Sequence, residues 1–191
     1  MEIMRYNGGA VSVRVIPGDG HCLFAALVHQ YHRMEINSKE HRDATLDIRK
    51  RIENHIRENL ERYAPSLTYA AGLDYGDANQ GLSDFLSRLG NGKEWGGEES
   101  ITAMTEIYNC RIDVYCEQGA RISFNESGAA NRTLRVAYRI GGRTSKSVER
   151  SHYDSVVQLL RNDATAEILS TNGAEENRNI GTGTLQQLLE K

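Results

Sequence analysis

The first clear pattern along the chain is a strand that breaks sharply and is followed by a helix. Over residues 11–16, valines alternate with polar residues, which predicts a half-buried strand. The segment 17–20, Pro-Gly-Asp-Gly, ends it with a turn. A helix is predicted from about Cys22, because apolar residues then recur at helical spacing: Leu23, Phe24, Leu27, Val28 and Tyr31.

Two more substantial helices and one short helix are predicted in the first 110 residues. An amphipathic pattern over 45–63 predicts the second helix, and Pro65 to Gly81 is interpreted as an irregular loop because it has no periodicity. A short helix follows and stops at Gly90, where glycine is a common helix end. The third substantial helix covers residues 101–108 and ends near Asn109.

The second half of the chain has the pattern of strands. Short apolar runs separated by glycines predict three strands, Arg111–Cys116, Arg121–Asn125 and Leu134–Ile140, and 152–157 begins a last strand or a helix. Helices early and strands late predict an α+β domain over 1–162, with a small central β-sheet flanked by helices. Residues 163–191 are small and polar, so we expect a flexible or peripherally docked tail.

Composition places the chain among ordinary globular proteins. It is 39% apolar and 26% charged, with a net charge of −3, which does not indicate nucleic-acid binding. The run Arg49-Lys50-Arg51 is interpreted as a solvated helix face. No apolar stretch approaches the ~18 residues of a membrane span, and the N-terminus is unlike a signal peptide. We therefore expect a monomer in the cytoplasm, or in a host's cytoplasm if the source is a pathogen.

Cys22 is the candidate nucleophile among three cysteines. An odd, sparse set of cysteines in a chain without a signal peptide favours free thiols over disulfides: Cys22, Cys110 and Cys116. Cys22 lies where a helix begins, and the positive end of the helix dipole favours a thiolate there. The same N–H groups could bind an oxyanion. The alternative is that Asp19 only caps the helix and Cys22 is a small buried apolar residue.

His152 is the candidate base. It follows the polar segment 144–151, and Asp154 would face the same side of an extended chain, where a carboxylate could orient the imidazole. The alternative is a loop histidine beside a capping Asp. His21 adjoins Cys22 but points elsewhere on a helix. The remaining histidines are expected to be exposed polar residues: His29, His32, His41 and His55.

Metal and cofactor sites are not indicated by the spacing of potential ligands. Cys110 and Cys116 have five residues between them, and no CxxC or HxxxH pair completes a set of four ligands. Phosphate-loop and dinucleotide fingerprints are also missing from the sequence. We therefore expect no cofactor.

Three sequence blocks together resemble the ovarian-tumour (OTU) family of cysteine proteases. They are Asp-Gly-His-Cys-Leu-Phe at 19–24, Trp-Gly-Gly-Glu-Glu at 95–99, and His-Tyr-Asp-Ser-Val at 152–156. The resemblance covers about residues 10–160 and implies the OTU fold. It implies Cys22 as nucleophile, His152 as general base, Asp154 as the residue that orients His152, and Asp19 in the loop that shapes the oxyanion hole.

The resemblance also implies where a substrate would bind. Its blocks point to Gly20, His21, Trp95, Gly96, Gly97, Glu98 and Tyr153. His21 stands where the family usually has Asn. Because this position mostly supplies backbone groups, the difference concerns the contacts of the His21 side chain rather than the course of the backbone. Glu98 or Glu99 would suit a basic ubiquitin tail, or equally would complement the dipole at a helix start.

A family member would hydrolyse the isopeptide or peptide bond after the C-terminal Gly-Gly of ubiquitin or polyubiquitin. Two alternatives remain open at the level of sequence. One is a cysteine protease for another ubiquitin-like modifier or a polyprotein. The other is an inactive ubiquitin-binding module.

Overall fold

The computed structural model describes residues 1–70, 78–140 and 151–160. Within these ranges the chain forms five helices and six strands. The helices are α1 (Cys22–His32), α2 (Lys39–Glu58), α3 (Leu60–Ala70), α4 (Ala78–Gly90) and α5 (Glu98–Tyr108). The strands are β1 (Glu2–Tyr6), β2 (Gly9–Arg14), β3 (Arg111–Cys116), β4 (Arg121–Phe124), β5 (Thr133–Arg139) and β6 (His152–Leu160).

All six strands belong to one mixed sheet with the order β1-β2-β6-β5-β3-β4. Only β3 and β5 run parallel, and the other neighbours are antiparallel. The sheet curls, because the β1–β2 turn meets the β3–β4 turn: Asn7 N–H donates to the Gly119 carbonyl at 2.7 Å. The strand β6 therefore lies in the middle, paired on one side with β2 and on the other with β5.

The curled sheet separates two apolar clusters. The larger one lies between the sheet and the helices, and includes Phe24 of α1, Ile52 of α2, Leu86 of α4 and Met104 of α5, all of them fully buried. The smaller one lies on the other face, inside the curl, and consists of Met4, Val11, Val13, Tyr115, Ala137 and Val156. The α+β class, with a sheet flanked by helices, is confirmed.

Most predicted elements are confirmed, and the helical region holds the errors. Helix α1, helix α5, the end of α4 at Gly90 and strands β3 to β5 lie where the sequence predicts them, and 152–157 is a strand. Strand β2 covers Gly9–Arg14 rather than 11–16. Strand β1 was not predicted. Helix α2 begins at Lys39 rather than 45, because Ser38 caps it by accepting the His41 N–H at 3.0 Å. It ends at Glu58 rather than 63.

The interpretation of Pro65 to Gly81 as a loop is wrong at both ends, because α3 extends to Ala70 and α4 begins at Ala78. Helix α3 continues through Pro65 to Ala70, although proline lacks an N–H for a helical bond. Tyr63 and Leu67 are both buried on the same side of α3, so packing outweighs the cost of the proline. The next residues, 71–77, lie outside the described part of the chain.

Two interpretations of polar side chains are also wrong. Arg49 is not on a solvated face, because it is fully buried, although Lys50 and Arg51 are exposed. His41 is 2% exposed within α2 and bonds through Nε2 to the Ala25 carbonyl at 3.0 Å. Helix α2 packs on several neighbours, so more than one of its faces is covered.

Of the other histidines expected to be exposed, only His32 is so. His29 and His55 are half-buried, with Nδ1 of His29 at 2.7 Å from Ser155 Oγ and Nε2 of His55 at 2.8 Å from a Glu106 oxygen. The tail 163–191 and segment 144–150 lie outside the described residues. None of the helices described is long and apolar enough to cross a membrane.

Candidate active site

Cys22 is the first residue of α1, directly after the broken turn. Gly20 has φ +90°, a conformation that favours glycine, and this lets the chain reverse between β2 and α1. Asp19 Oδ1 accepts the His21 N–H at 3.0 Å, so the Asp folds the loop upon itself. The Cys22 side chain is partly exposed, as a nucleophile must be.

His152 and Asp154 lie on β6, two residues apart and both buried. The imidazole Nε2 lies 3.1 Å from Asp154 Oδ1, which is the contact expected of residues on one side of an extended chain. Asp154 also accepts the Ile16 N–H at 2.9 Å and the Arg139 Nε–H at 3.1 Å. The carboxylate is therefore held by a neighbouring strand and by the start of the catalytic turn.

Cys22 and His152 lie close together, although they are distant in sequence: Nδ1 of His152 would lie 3.9 Å from a Cβ added to Gly18 in the turn before Cys22, and Cys22 is among the groups that act on the pKa of His152. Burial disfavours a charged imidazole, but the hydrogen bonds to Asp154 and Cys22 outweigh it and raise the pKa of His152 to about 9. Burial works against the Asp154 carboxylate too, yet the His152 contact and the Ile16 N–H leave its pKa below the usual value. At neutral pH these shifts favour an imidazolium at His152 beside an ionised Asp154 carboxylate.

The segment 95–97 packs against the turn before Cys22 and against α1. Trp95 is 45% exposed, and its Nε1 would lie 3.8 Å from a Cβ added to Gly20. A Cβ added to Gly96 would lie 2.5 Å from Phe24 Cζ, so this glycine lets the segment pack directly on α1. The missing side chain of Gly96 thus makes room for the core rather than for a ligand.

The acidic pair at the start of α5 divides into two environments. Glu99 is buried, and its Oε1 accepts the Gly97 N–H at 2.9 Å and the Ser100 hydroxyl at 3.2 Å. This favours the helix-start interpretation for Glu99. Glu98 is exposed at the same helix end.

Tyr153 points away from its neighbours His152 and Asp154. Its ring packs on Tyr138 with 5.0 Å between centroids, and burial raises the pKa of its hydroxyl. It is half-buried beside the larger apolar cluster. Tyr153 therefore has a packing contact near the site. The structure brings six of the predicted residues together around Cys22: Cys22, His152, Asp154, Asp19, Gly20 and Trp95.

Two arginines of the site were not predicted. Arg139 of β5 reaches Asp154, and also approaches Glu2 and Glu117 at 3.3 and 3.4 Å. Arg49 of α2 donates to the Gly20 carbonyl at 3.2 Å. No sequence motif marks either residue, because each acts across the fold; only a helical wheel showing Arg49 beside Ile48 and Ile52 hints at its burial.

The other thiols differ from Cys22. Cys110 is fully buried, and burial raises the pKa of its thiol to about 11. Burial raises the pKa of Cys116 as well. Among the described residues, no cluster of His, Cys, Asp or Glu has the composition of a metal site. The chemistry that this site supports is therefore nucleophilic attack by the Cys22 sulfur with proton transfer through His152.

The comparisons with known proteins give the class of this site. The family model described as OTU-like cysteine protease matches residues 17–169. The chain belongs to the OTU-like cysteine protease family.

Curated relatives are distant and longer. The chain is 25% identical over 154 residues to deubiquitinase OTUD6B of Xenopus laevis, covering 78% of this chain and 47% of the relative. It is 27% identical over 140 residues to ubiquitin thioesterase otu2 of Schizosaccharomyces pombe, covering 69% of this chain and 41% of the relative. The match thus spans less than half the length of either relative.

Solved structures share the fold. The OTU domain of OTUD1 superposes with a TM-score of 0.54 at 16% identity, covering 76% of this chain and 85% of that chain. The viral OTU protease of Farallon virus gives a TM-score of 0.56 at 14% identity, covering 78% and 84%. An OTU domain solved in complex with ubiquitin gives 0.51 at 17% identity, covering 88% and 87%.

Proposed function

We propose that this protein is a deubiquitinase, a thiol hydrolase of the bond after the C-terminal Gly-Gly of ubiquitin. The observation that carries the proposal is the placement of the partly exposed Cys22 at the start of α1 beside a buried His152, whose Nε2 contacts Asp154 Oδ1 at 3.1 Å. The names of two curated relatives, a deubiquitinase and a ubiquitin thioesterase, support ubiquitin as the modifier. A family member of the same fold has been solved with ubiquitin bound.

The reaction follows from the site's charges. The Cys22 thiolate attacks the carbonyl carbon of the terminal glycine, and the carbonyl electrons move to its oxygen. His152, protonated at neutral pH, gives its proton to the leaving lysine amine as the C–N bond breaks. Water then gives a proton to His152 and attacks the thioester, which releases the ubiquitin carboxylate and the Cys22 sulfur.

Asp154 and Asp19 have different roles in this scheme. Asp154 holds His152 by its Nε2 and leaves Nδ1 for the sulfur, which stabilises the imidazolium. Asp19 shapes the loop before Cys22, whose N–H groups, together with the helix start, would stabilise the oxyanion. Neither role needs a metal or an organic cofactor.

The turn before Cys22 suits a narrow, extended peptide. No side chain projects from Gly20, so the backbone of a peptide could come close to the turn there. We assign the substrate contacts to Gly20, His21, Trp95, Gly97 and the exposed Glu98. The backbone of Gly96 and the edge of the Tyr153 ring would complete this binding surface. A basic segment of the ubiquitin tail would complement Glu98. We place the protein, as a monomer, in the cytoplasm, where its three free cysteines would stay reduced.

A ubiquitin probe with a C-terminal electrophile tests the proposal. We expect it to form one covalent adduct, on Cys22, and we expect Cys22→Ala to stay folded and form none. Matched probes built on other ubiquitin-like modifiers serve as the comparison. A chain that reacts only with another modifier's probe would have the chemistry but a different substrate, and a chain that binds ubiquitin without any adduct would be an inactive binding module.

A further inference from the structure

Arg49, in the middle of α2, carries a fully buried positive charge. Its guanidinium has no carboxylate at hydrogen-bond distance among the contacts described, and instead donates to three backbone carbonyls. Nε donates to Leu89 at 2.9 Å, Nη1 to Gly20 at 3.2 Å, and Nη2 to Glu94. A buried charge is costly, so a residue that bonds only backbone there requires an explanation.

The three carbonyls belong to different parts of the site. Gly20 is in the turn before Cys22, and Glu94 directly precedes Trp95. Leu89 is in the last turn of α4. The guanidinium plane also stacks on Phe24, 4.2 Å from the ring centroid, and Gly96 packs on the same ring. Arg49 therefore contacts both the turn before Cys22 and the segment that leads into Trp95.

The bond to Gly20 fixes a peptide next to the nucleophile. A peptide group is planar, so the direction of the Gly20 carbonyl sets the opposite direction of the His21 N–H. That N–H donates to Asp19 Oδ1 at 3.0 Å. The Gly20–His21 peptide is thus held at both ends, by Arg49 on one side and by Asp19 on the other, one residue before Cys22.

The charge of Arg49 also faces the sulfur. Burial is the largest influence on this guanidinium and lowers its pKa to about 10, while Cys22, Asp19 and Glu94 are the groups whose negative charge favours its protonated form. Arg49 remains charged at neutral pH. Because the guanidinium bonds the Gly20 carbonyl, two residues before Cys22, its positive charge lies near the sulfur and would attract a negative charge that develops there.

We propose that Arg49 is a positioning residue of this active site. It holds the turn before Cys22 and the segment that leads into Trp95 in the geometry that the reaction needs, and it places a fixed positive charge near the thiolate. The proposal deepens the hydrolase function above and rests on it for the reaction. The proposal does not require Arg49 to contact the substrate.

Arg57 provides a matched control on the same helix. It also links α2 to α4, donating to Ser83 at 3.0 Å and to Ser87 at 2.8 Å, and it contacts Glu53. None of its described bonds reaches the turn at Gly20 or Glu94. Arg49→Met and Arg57→Met therefore both remove a helix-to-helix link, and only the first changes the site.

The experiment measures kcat and KM on a fluorogenic ubiquitin substrate, together with the rate at which iodoacetamide labels Cys22 at neutral pH. Removal of one oxyanion-hole donor costs about 10²–10³ in kcat, so loss of a residue that positions the hole should cost at least about tenfold. We expect that fall in Arg49→Met with little change in KM, slower labelling of Cys22, and partial recovery in Arg49→Lys, which keeps the charge but not the planar fork.

The labelling rate keeps this proposal separate from the substrate assignment. If wild-type protein does not cleave ubiquitin, the labelling comparison still tests Arg49. Equal kcat and labelling in Arg49→Met and Arg57→Met would show that Arg49 is structural only. If Arg49→Met does not fold, Arg49→Lys decides, and wild-type values for both measurements in a folded Lys variant would overturn the proposal.

Discussion

At the scale of single residues, the site joins residues from two elements, Cys22 on α1 and His152 with Asp154 on β6. Cys22 begins α1, His152 begins β6, and Asp154 is bound by Arg139 of β5 and by the N–H of Ile16. Because the Asp154 carboxylate is fully buried and multiply bonded, its position is set by the fold rather than by His152.

The first residue-scale prediction concerns the order of activities in three proteins. Loss of a general base typically costs about 10²–10⁴ in rate, so His152→Ala should be near background. Asp154→Asn keeps an oxygen that accepts from Nε2, so it should fall between wild type and His152→Ala. A serine triad can lose ~10⁴ on this change, but a preformed thiolate depends less on the imidazole tautomer. One fluorogenic substrate gives all three rates; wild-type activity in Asp154→Asn would reduce Asp154 to a structural residue.

The second residue-scale prediction concerns pH. The pKa of His152 is raised from 6.5 to about 9, so its stabilising contribution is complete below about pH 6.5 and is lost as pH rises through about 9. The pKa of Asp154 is lowered, so its contribution is present above its unfolded pKa and is lost on acidification. NMR titration should find His152 protonated at pH 7.5, and less so in Cys22→Ala, because the thiolate is one of the causes of the shift. An identical midpoint in both proteins would contradict this.

The sequence predicted the reacting residues better than the residues that support them. Cys22, His152 and Asp154 leave local traces, a cysteine after a turn at a helix start and two polar residues spaced for one side of a strand, but these traces left alternatives open, and the roles were implied by the resemblance of three sequence blocks to the OTU family. Arg49 and Arg139 bond to groups far along the chain, and for Arg49 those groups are backbone carbonyls that any residue type would offer. No pattern of side chains records such partners.

At the scale of elements, helix boundaries depended on capping and packing, whereas strand boundaries followed the periodicity closely. The apolar stripe of α2 begins at its second turn, so the stripe alone starts the helix too late, and the cap at Ser38 defines the true beginning. Strand β1 was missed because its five residues show little alternation and it is stabilised by pairing with β2. The strands from β3 onwards carry clear turn signals between them.

The element-scale prediction concerns that cap. Ser38→Ala removes the acceptor for the His41 N–H and should lower the free energy of unfolding by about 1 kcal/mol. Ser38→Asp keeps an oxygen acceptor at the same position and should remain close to wild type. Urea unfolding measures both, and the catalytic rate of the folded fraction should be unchanged. Equal stability of the Ala and Asp variants would show that the cap contributes nothing.

At the scale of the whole molecule, the fold gives three cysteines three different environments. Cys110 is fully enclosed within the larger apolar cluster, and Cys116 is half-buried at the end of β3. Burial raises the pKa of both thiols, so little thiolate is present at neutral pH. Cys22 alone is paired with an imidazole.

The whole-molecule prediction follows from these environments. Iodoacetamide should label Cys22 first and remove activity in proportion to that labelling, as mass spectrometry and rate measurements on the same samples would record. Strong chelators should leave the rate unchanged, because the proposed reaction uses no metal ion. Activity that is lost with chelator and restored by zinc, or labelling of Cys116 ahead of Cys22, would require a different chemistry.

Because β6 lies between β2 and β5 in the sheet, the site can form only after most of the chain has been synthesised. The bond from Ile16 N–H to Asp154 Oδ1 joins residues 138 positions apart, and closure of such a long loop is slow compared with local helix formation. On the ribosome, the segment containing Cys22 emerges long before the strand that carries its base. A nascent chain would therefore expose a thiol without a partner, and would become a hydrolase only when β6 inserts between β2 and β5.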